Sequence, residues 1–143
     1  MKIVLAIDSF KGSLTSAEAE QAAHKAIQAA CPGCETVQIP IADGGEGMLG
    51  VMLAATGGSI QTVTAHDPCM KPIVAEYGLS ADGTTAFIEM ATVSGLPLVP
   101  EELRNPMKTT TYGTGELIKD ALEKGCTRFI VGIGGSATND AGT

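Results

Sequence analysis

An α/β fold, with strand-loop-helix units around a mostly parallel sheet, is what this sequence predicts, on three observations. Short apolar runs alternate with helix-periodic stretches, several runs open into loops of Gly, Asp, Ser and Thr, and aromatic residues are scarce. With 44% hydrophobic residues but only 3% aromatic and no Trp among 143, the core must be built from Val, Ile, Leu, Ala and Met, as layered β and α elements allow. The 18 glycines bunch after apolar runs, where a backbone turns tightly or approaches a ligand closely.

Residues 2 to 7, KIVLAI, form an apolar run ending at Asp8, which fits a buried strand of a parallel sheet. Thr15 with Glu18 has the form of a capping box, and Ala19, Ala22, Ala23, Ala26, Ile27 and Ala30 follow at helical spacing until Pro32-Gly33. Residues 37 to 41 read as a second strand and 46 to 55 as a second helix closed by Gly57-Gly58. From Ser59 the character changes. Runs at 60 to 65 and 73 to 79 flank Asp67-Pro68, and Asp82-Gly83 turns the chain into 85 to 90, so a smaller antiparallel or mixed sheet is expected. Residues 114 to 122 return to helix, and 128 to 133 form a strand leading into Gly134-Gly135. The expected organisation is a first lobe over 1–58 and part of a second over 59–143, cut at its Gly-rich loop before the helix that would follow it.

A net charge of -7 excludes a nucleic-acid surface, which needs clustered Lys and Arg. No apolar stretch approaches the roughly 20 residues that span a bilayer, and MKIVLAIDSF has no cleavage site after it. A cytoplasmic protein with a small-molecule partner is expected, with neither nucleic acid nor membrane. Cys31, Cys34, Cys69 and Cys126 are too few for a disulfide scaffold, so reduced thiols are the default. Cys31-Pro-Gly-Cys34 has redox or half-zinc spacing, but it ends a helix where a thioredoxin-like pair would open one, and it lacks a second ligand pair.

Three loops share one design: Asp8 to Ser13, Ala42 to Gly47, and Gly132 to Asp140. In open α/β sheets such loops line the ligand crevice, where strand ends and helix N-termini converge. The last is the best phosphate cradle, with Gly134 and Gly135 freeing backbone N–H groups and Ser136, Thr138 and Asn139 adding donors. It is neither a Walker A loop nor a Rossmann fingerprint, since Ala137 stands at the third glycine. A nicotinamide-dependent dehydrogenase is disfavoured too, because Phe10-Lys11 occupies the place of its first glycines. Asp43, Gly44, Gly45 and Glu46 put two carboxylates in a glycine frame, suited to Mg2+ or substrate hydroxyls, with helix capping as the other reading. Lys11 can meet a phosphate, as can Arg104 and Lys108 on a later loop. Glu89 and Ser94 follow a strand and either line the same cleft or cap and turn the chain. His24 and His66 read as surface or structural residues.

The segments IDSFKGSLTSAEA, ADGGEG, LAATGG, AFIEMATVSGL, NPMKTTTYGTGELI and VGIGGSATNDAG occur in this order and closely resemble the N-terminal third of bacterial glycerate kinases. Family members commonly have Pro where this chain has Ile7, and GG where it reads Ala141-Gly142. The resemblance implies part of a larger two-domain enzyme that transfers phosphate from ATP to D-glycerate, typically giving 2-phosphoglycerate, with its site in the cleft between domains. The assignments that follow are Asp8, Lys11 and Asp140 as catalytic residues, Asp43 and Glu46 as Mg2+ ligands, and Gly134, Gly135, Ser136, Thr138 and Asn139 on phosphate. Arg104 pairs with the glycerate carboxylate. The isolated chain is expected to be inactive. The alternative is a non-catalytic α/β small-molecule-binding module or a truncated remnant.

Overall fold

The computed structural model describes residues 1–142 and divides the chain into two compact units, Met1–Asp43 and Gly44 onward. In the first unit, strand β1 (Lys2–Leu5) pairs in parallel with β2 (Glu35–Gln38), with Val4 opposite Val37, and helix α1 (Ser16–Ala30) connects them. The expected capping box is present: Thr15 Oγ1 accepts from Glu18 N–H at 3.2 Å, and the Glu18 carboxylate accepts from Thr15 N–H at 2.8 Å. β2 begins and ends earlier than the expected 37 to 41. Cys34 N–H closes a turn on Cys31 O at 3.0 Å, which starts the strand at once, and Pro40, without an N–H, cannot continue the ladder past the Ile39 N–H bond to Leu5 O at 2.9 Å. The expectation of reduced thiols is corrected for one pair: Cys31 and Cys34 are joined in a disulfide with Cα atoms 5.6 Å apart, while Cys69 and Cys126 are free. His24 is half-buried and hydrogen-bonded to Thr36, a structural role.

The second unit is a four-stranded mixed sheet in the order β3 (Ser59–His66), β4 (Pro72–Leu79), β5 (Thr85–Glu89), β6 (Arg128–Gly132). β3, β4 and β5 run antiparallel as neighbours, and β6 joins β5 in parallel with Phe87 opposite Ile130. The turn into β5 is closed by Asp82, whose Oδ1 accepts from the Ser80 hydroxyl at 2.6 Å and from Thr84 N–H at 3.0 Å. Period-two alternation gives the sheet two apolar faces. Ala75, Tyr77, Ala86 and Ile88 form a core with Leu117 and Ala121 of helix α4 (Tyr112–Glu123), and short helix α3 (Ala91–Ser94) adds Val93. Helix α2 (Met48–Thr56) covers the other face, where Leu49, Leu53 and Phe87 lie against Gly78.

The grouping of 1–58 as one lobe differs from this arrangement. α2 packs on β4 and β5, so the compact units part between Asp43 and Gly44 and not near residue 59. Among the described residues no helix is long and apolar enough to cross a membrane.

Tyr77 anchors α4 to the sheet. Its side chain is fully buried, its hydroxyl donates to Asp120 Oδ2 at 2.8 Å, and the Lys124 ammonium lies 2.7 Å from the same carboxylate oxygen and 5.3 Å from the Tyr77 ring centre. Burial, then the Asp120 bond, pushes the Tyr77 phenol up to about 12. A folded-state value above that of an unfolded tyrosine means that this stabilisation is complete below about pH 10 and is lost as pH rises through about 12. Spectroscopic titration should show a phenolate midpoint near 12 that disappears in Tyr77→Phe, and a Tyr77 midpoint at the ordinary value of about 10 would contradict it.

Candidate functional site

Two glycine-rich loops of the second unit meet backbone to backbone. Gly134 N–H donates to Gly44 O at 3.0 Å, and a Cβ on Gly134 would stand 2.7 Å from Gly45 Cα. On Gly132 it would stand 2.4 Å from Gly44 O. Only glycine permits this approach at 132 and 134, while Gly44 at φ 88° and Gly135 at φ 73° adopt the left-handed conformation that favours glycine.

Glu89, at the end of β5, holds the first of these loops. Its carboxylate is buried and accepts from Gly47 N–H at 3.2 Å through Oε1 and from Leu49 N–H at 2.9 Å through Oε2. The N-cap of α2 is Gly47, which has no side chain to satisfy the helix's first N–H groups, and Glu89 takes that place from across the fold. Of the two readings open for Glu89, capping is what its contacts describe.

The Gly-rich loop after β6 is pinned along its length. Leu96 N–H donates to Gly135 O at 3.0 Å, Ala137 N–H to Ser94 O at 2.9 Å, and the Thr109 hydroxyl to Ala137 O at 2.7 Å. The Ser136 and Thr138 hydroxyls are 2.8 Å apart, and Ser136 Oγ accepts from Thr138 N–H at 3.1 Å. Ser94 touches the loop through its carbonyl. Its hydroxyl is buried against that of Thr114 at 2.8 Å, so its side chain does not line an open cleft. Asp140 ends the loop by accepting from Thr111 N–H at 2.7 Å, which anchors it to the start of α4. Burial acts to raise the Asp140 pKa, but the bonds from Thr111 and Gly142 N–H and from the Thr111 hydroxyl outweigh it, and the carboxyl lies below its ordinary value.

Beside this loop is a cavity of about 240 Å³ lined by Leu96, Val99, Arg104, Asn105, Ser136 and Thr138, among others. Arg104 Nε donates to Val99 O at 3.2 Å, which fixes the guanidinium at the cavity, and Arg104 makes no ion pair among the described residues. The volume is below the roughly 300–1,000 Å³ typical of drug-sized ligands and suits a small anion. Asn139 is exposed, and Lys108 does not line the cavity. Asn105, Thr109 and Thr114 are the residues that sequence reasoning missed. The polar run Thr109-Thr110-Thr111 before α4 was the available signal for Thr109, while Asn-Pro at 105–106 signals only a turn and does not point to a site.

Asp8, Lys11 and Asp43 belong to the first unit and Glu46 to the second. Phe10 bridges Leu14 across a tight turn whose Gly12 has φ 72°, leaving Lys11 exposed and without an ion pair among the described residues. Asp8 Oδ1 accepts from Ser9 N–H at 2.7 Å. Asp43 and Glu46 are exposed carboxylates. No group of three or more His, Cys, Asp or Glu able to hold a metal occurs among the described residues. His66 is accounted for structurally, with its ring Nδ1 3.0 Å from Glu116 Oε1 and its N–H donated to Glu116 Oε2 at 2.8 Å.

Comparison with known proteins decides the family. Residues 3–143 match the model of the glycerate kinase family. The chain belongs to that family. It is similar to the glycerate 2-kinase of Escherichia coli K12, with 52% identity over 99% of this chain and 37% of that protein. Identity to the glycerate kinase of Bacillus subtilis 168 is 50%, again over 99% of this chain and 37% of the relative. A crystal structure of a provisionally named glycerate kinase 2 from Salmonella typhimurium LT2 superposes with a TM-score of 0.81 at 48% identity, covering 100% of this chain and 38% of that one. The chain thus spans little more than a third of the length of these glycerate kinases.

In this glycerate kinase segment the Glu89 cap should dominate local stability. Glu89→Ala removes the carboxylate that accepts from the Gly47 and Leu49 N–H groups, the second of them buried, and should cost about 1–3 kcal/mol in urea denaturation, with Gln recovering part of it. A change within about 0.5 kcal/mol, the range of an ordinary surface site, would show that α2 does not depend on it.

Proposed function

We propose that the complete protein containing this segment is an ATP-dependent glycerate kinase that phosphorylates D-glycerate at the 2-hydroxyl, acts in the cytoplasm, and has no turnover as the 143-residue piece alone. The observation that carries the reading is the small cavity in which Arg104 stands beside the Ser136 and Thr138 hydroxyls of the Gly-rich loop, in a member of the glycerate kinase family. A guanidinium offers a carboxylate two parallel N–H···O bonds, and a loop of glycines and hydroxyls offers donors to phosphate oxygens.

Phosphoryl transfer asks the protein for in-line positioning, charge neutralisation and a group to take the hydroxyl proton. Gly134, Gly135, Ser136, Thr138 and Asn139 hold transferring phosphate, Arg104 holds the substrate carboxylate, and Lys11 offsets the phosphate charge. The glycerate hydroxyl oxygen attacks the γ-phosphorus, the bond to ADP breaks, and the hydroxyl proton passes to a carboxylate. Asp8, which accepts one bond at Oδ1 from Ser9 N–H, suits that last role better than Asp140, both of whose oxygens are engaged by Thr111 and Gly142. Asp43 and Glu46 are hard oxygen donors of the type Mg2+ takes together with phosphates and water, and the ion would supply further neutralisation of the γ-phosphate charge.

The test is steady-state kinetics of the complete protein with ATP, Mg2+ and D-glycerate, with proton-coupled phosphorus NMR of the product. Phosphate on the 2-hydroxyl couples to one proton and gives a doublet, whereas phosphate on the 3-hydroxyl couples to two and gives a triplet. Lys11→Ala should lower kcat/KM roughly 10²-fold with the melting temperature unchanged, and Arg should not restore it, since a guanidinium fork does not fit the place of a point charge. Wild-type kcat/KM in Lys11→Ala would reduce Lys11 to a surface residue. Arg104→Lys should raise KM for glycerate about tenfold and leave KM for ATP alone.

A further inference from the structure

We propose that Glu20 is a positioning residue for the loop that carries Asp8 and Lys11, an inference that rests on the functional reading above. Ile7 lies two residues beyond β1, where its polar groups have no strand partner. Helix α1 supplies both. Glu20 Oε1 accepts from Ile7 N–H at 3.2 Å, and the Ser16 hydroxyl donates to Ile7 O at 2.6 Å. Ser16 and Glu20 are four residues apart and therefore on one helix face. The same Ser16 Oγ accepts from Ile41 N–H at 3.1 Å, so one hydroxyl, using its single donor and one acceptor site, ties the segment after β1 to the segment after β2. Those segments run into Asp8 and Asp43.

Stability alone is a poor explanation for a carboxylate at this place. Glu20 is fully buried, and its Oε2 has no hydrogen-bond partner among the described residues. A buried carboxylate held by one backbone bond loses hydration without full compensation, so its net contribution to stability is small. What Glu20 does achieve is a fixed orientation of the peptide that precedes Asp8. With Ile7 held at both its N–H and its C=O, the turn presenting Lys11 starts from a defined direction. Without that hold, exposed Asp8 and Lys11 depend on a local turn closed by the Phe10 to Leu14 bridge and by Ser13 N–H donating to Phe10 O at 2.8 Å.

The experiment uses the complete protein with Glu20→Met, which keeps length and volume but has no acceptor, and Glu20→Gln, which keeps an acceptor for Ile7 N–H. Kinetics with ATP and D-glycerate are measured alongside amide hydrogen exchange and thermal melts. Glu20→Met should lower kcat at least about tenfold with both KM values within about threefold, and exchange at the Ile7 amide should rise about tenfold. Glu20→Gln should recover kcat to within about twofold. If Glu20→Met melts too low to assay, Ser16→Ala, which leaves Glu20 in place and removes the other grip on Ile7, must show the same loss confined to kcat. Wild-type kcat in folded Glu20→Met, or equal kcat losses in the Met and Gln variants, would overturn the proposal. A wild-type protein that does not phosphorylate D-glycerate would overturn the functional reading instead, and the exchange at Ile7 would then still report whether the Glu20 bond exists.

Discussion

The second unit depends on a carboxylate that stands in for a missing cap. α2 is N-capped by a glycine, and Glu89 reaches the Gly47 and Leu49 N–H groups from the end of β5. That bond fixes where Gly44 to Gly47 sit, and the fixed backbone is what the glycines after β6 press against. An anion-binding loop works only if its N–H groups already point the right way, because reorganising them at the moment of binding would consume the interaction energy. Under the proposed function, Glu89 acts on the chemistry only through that backbone.

Much of the fold was readable from residue pattern. Apolar runs marked all six strands to within a few residues, and Thr15 with Glu18 marked the start of α1 because a capping box is local chemistry. What escaped was decided by partners distant in sequence. β2 shifted because its register comes from β1 and its end from Pro40. α2 looked like a companion of the first two strands, yet its apolar residues face Gly78 of β4 and Phe87 of β5, strands that come later in the chain. In α1 the periodic set Ala19, Ala22, Ala23, Ala26, Ile27 and Ala30 includes buried Ala19, but Ala22, Ala26 and Ala30 are exposed, and buried Ser16 and Glu20 lay outside it.

The site was legible in the same uneven way. Glycines and hydroxyls after β6 announced a loop with donors, and Arg104 was picked out as a cation on a nearby segment, so three of the residues that line the cavity, Arg104, Ser136 and Thr138, were among those singled out, while Asn105 was not. The division of labour between lining and support was not. Glu89, Ser94 and Asp140 have the side chains of site residues, but each is committed to a backbone or hydroxyl partner more than 18 positions away in the chain, a fact that only tertiary structure supplies. Polar residues at strand ends serve both purposes, and sequence alone does not separate them.

A loop after β6 that is a preformed anion cradle beside Arg104, as proposed above, is tested most directly by titrating inorganic phosphate into the complete protein labelled with ¹⁵N at glycine and serine. Such a cradle should give saturable amide shifts at Gly134, Gly135 and Ser136 and none at Gly83 or Gly125, which lie in other turns. Shifts spread evenly over the glycines, or a loop whose amides do not respond while phosphate binds elsewhere, would contradict it.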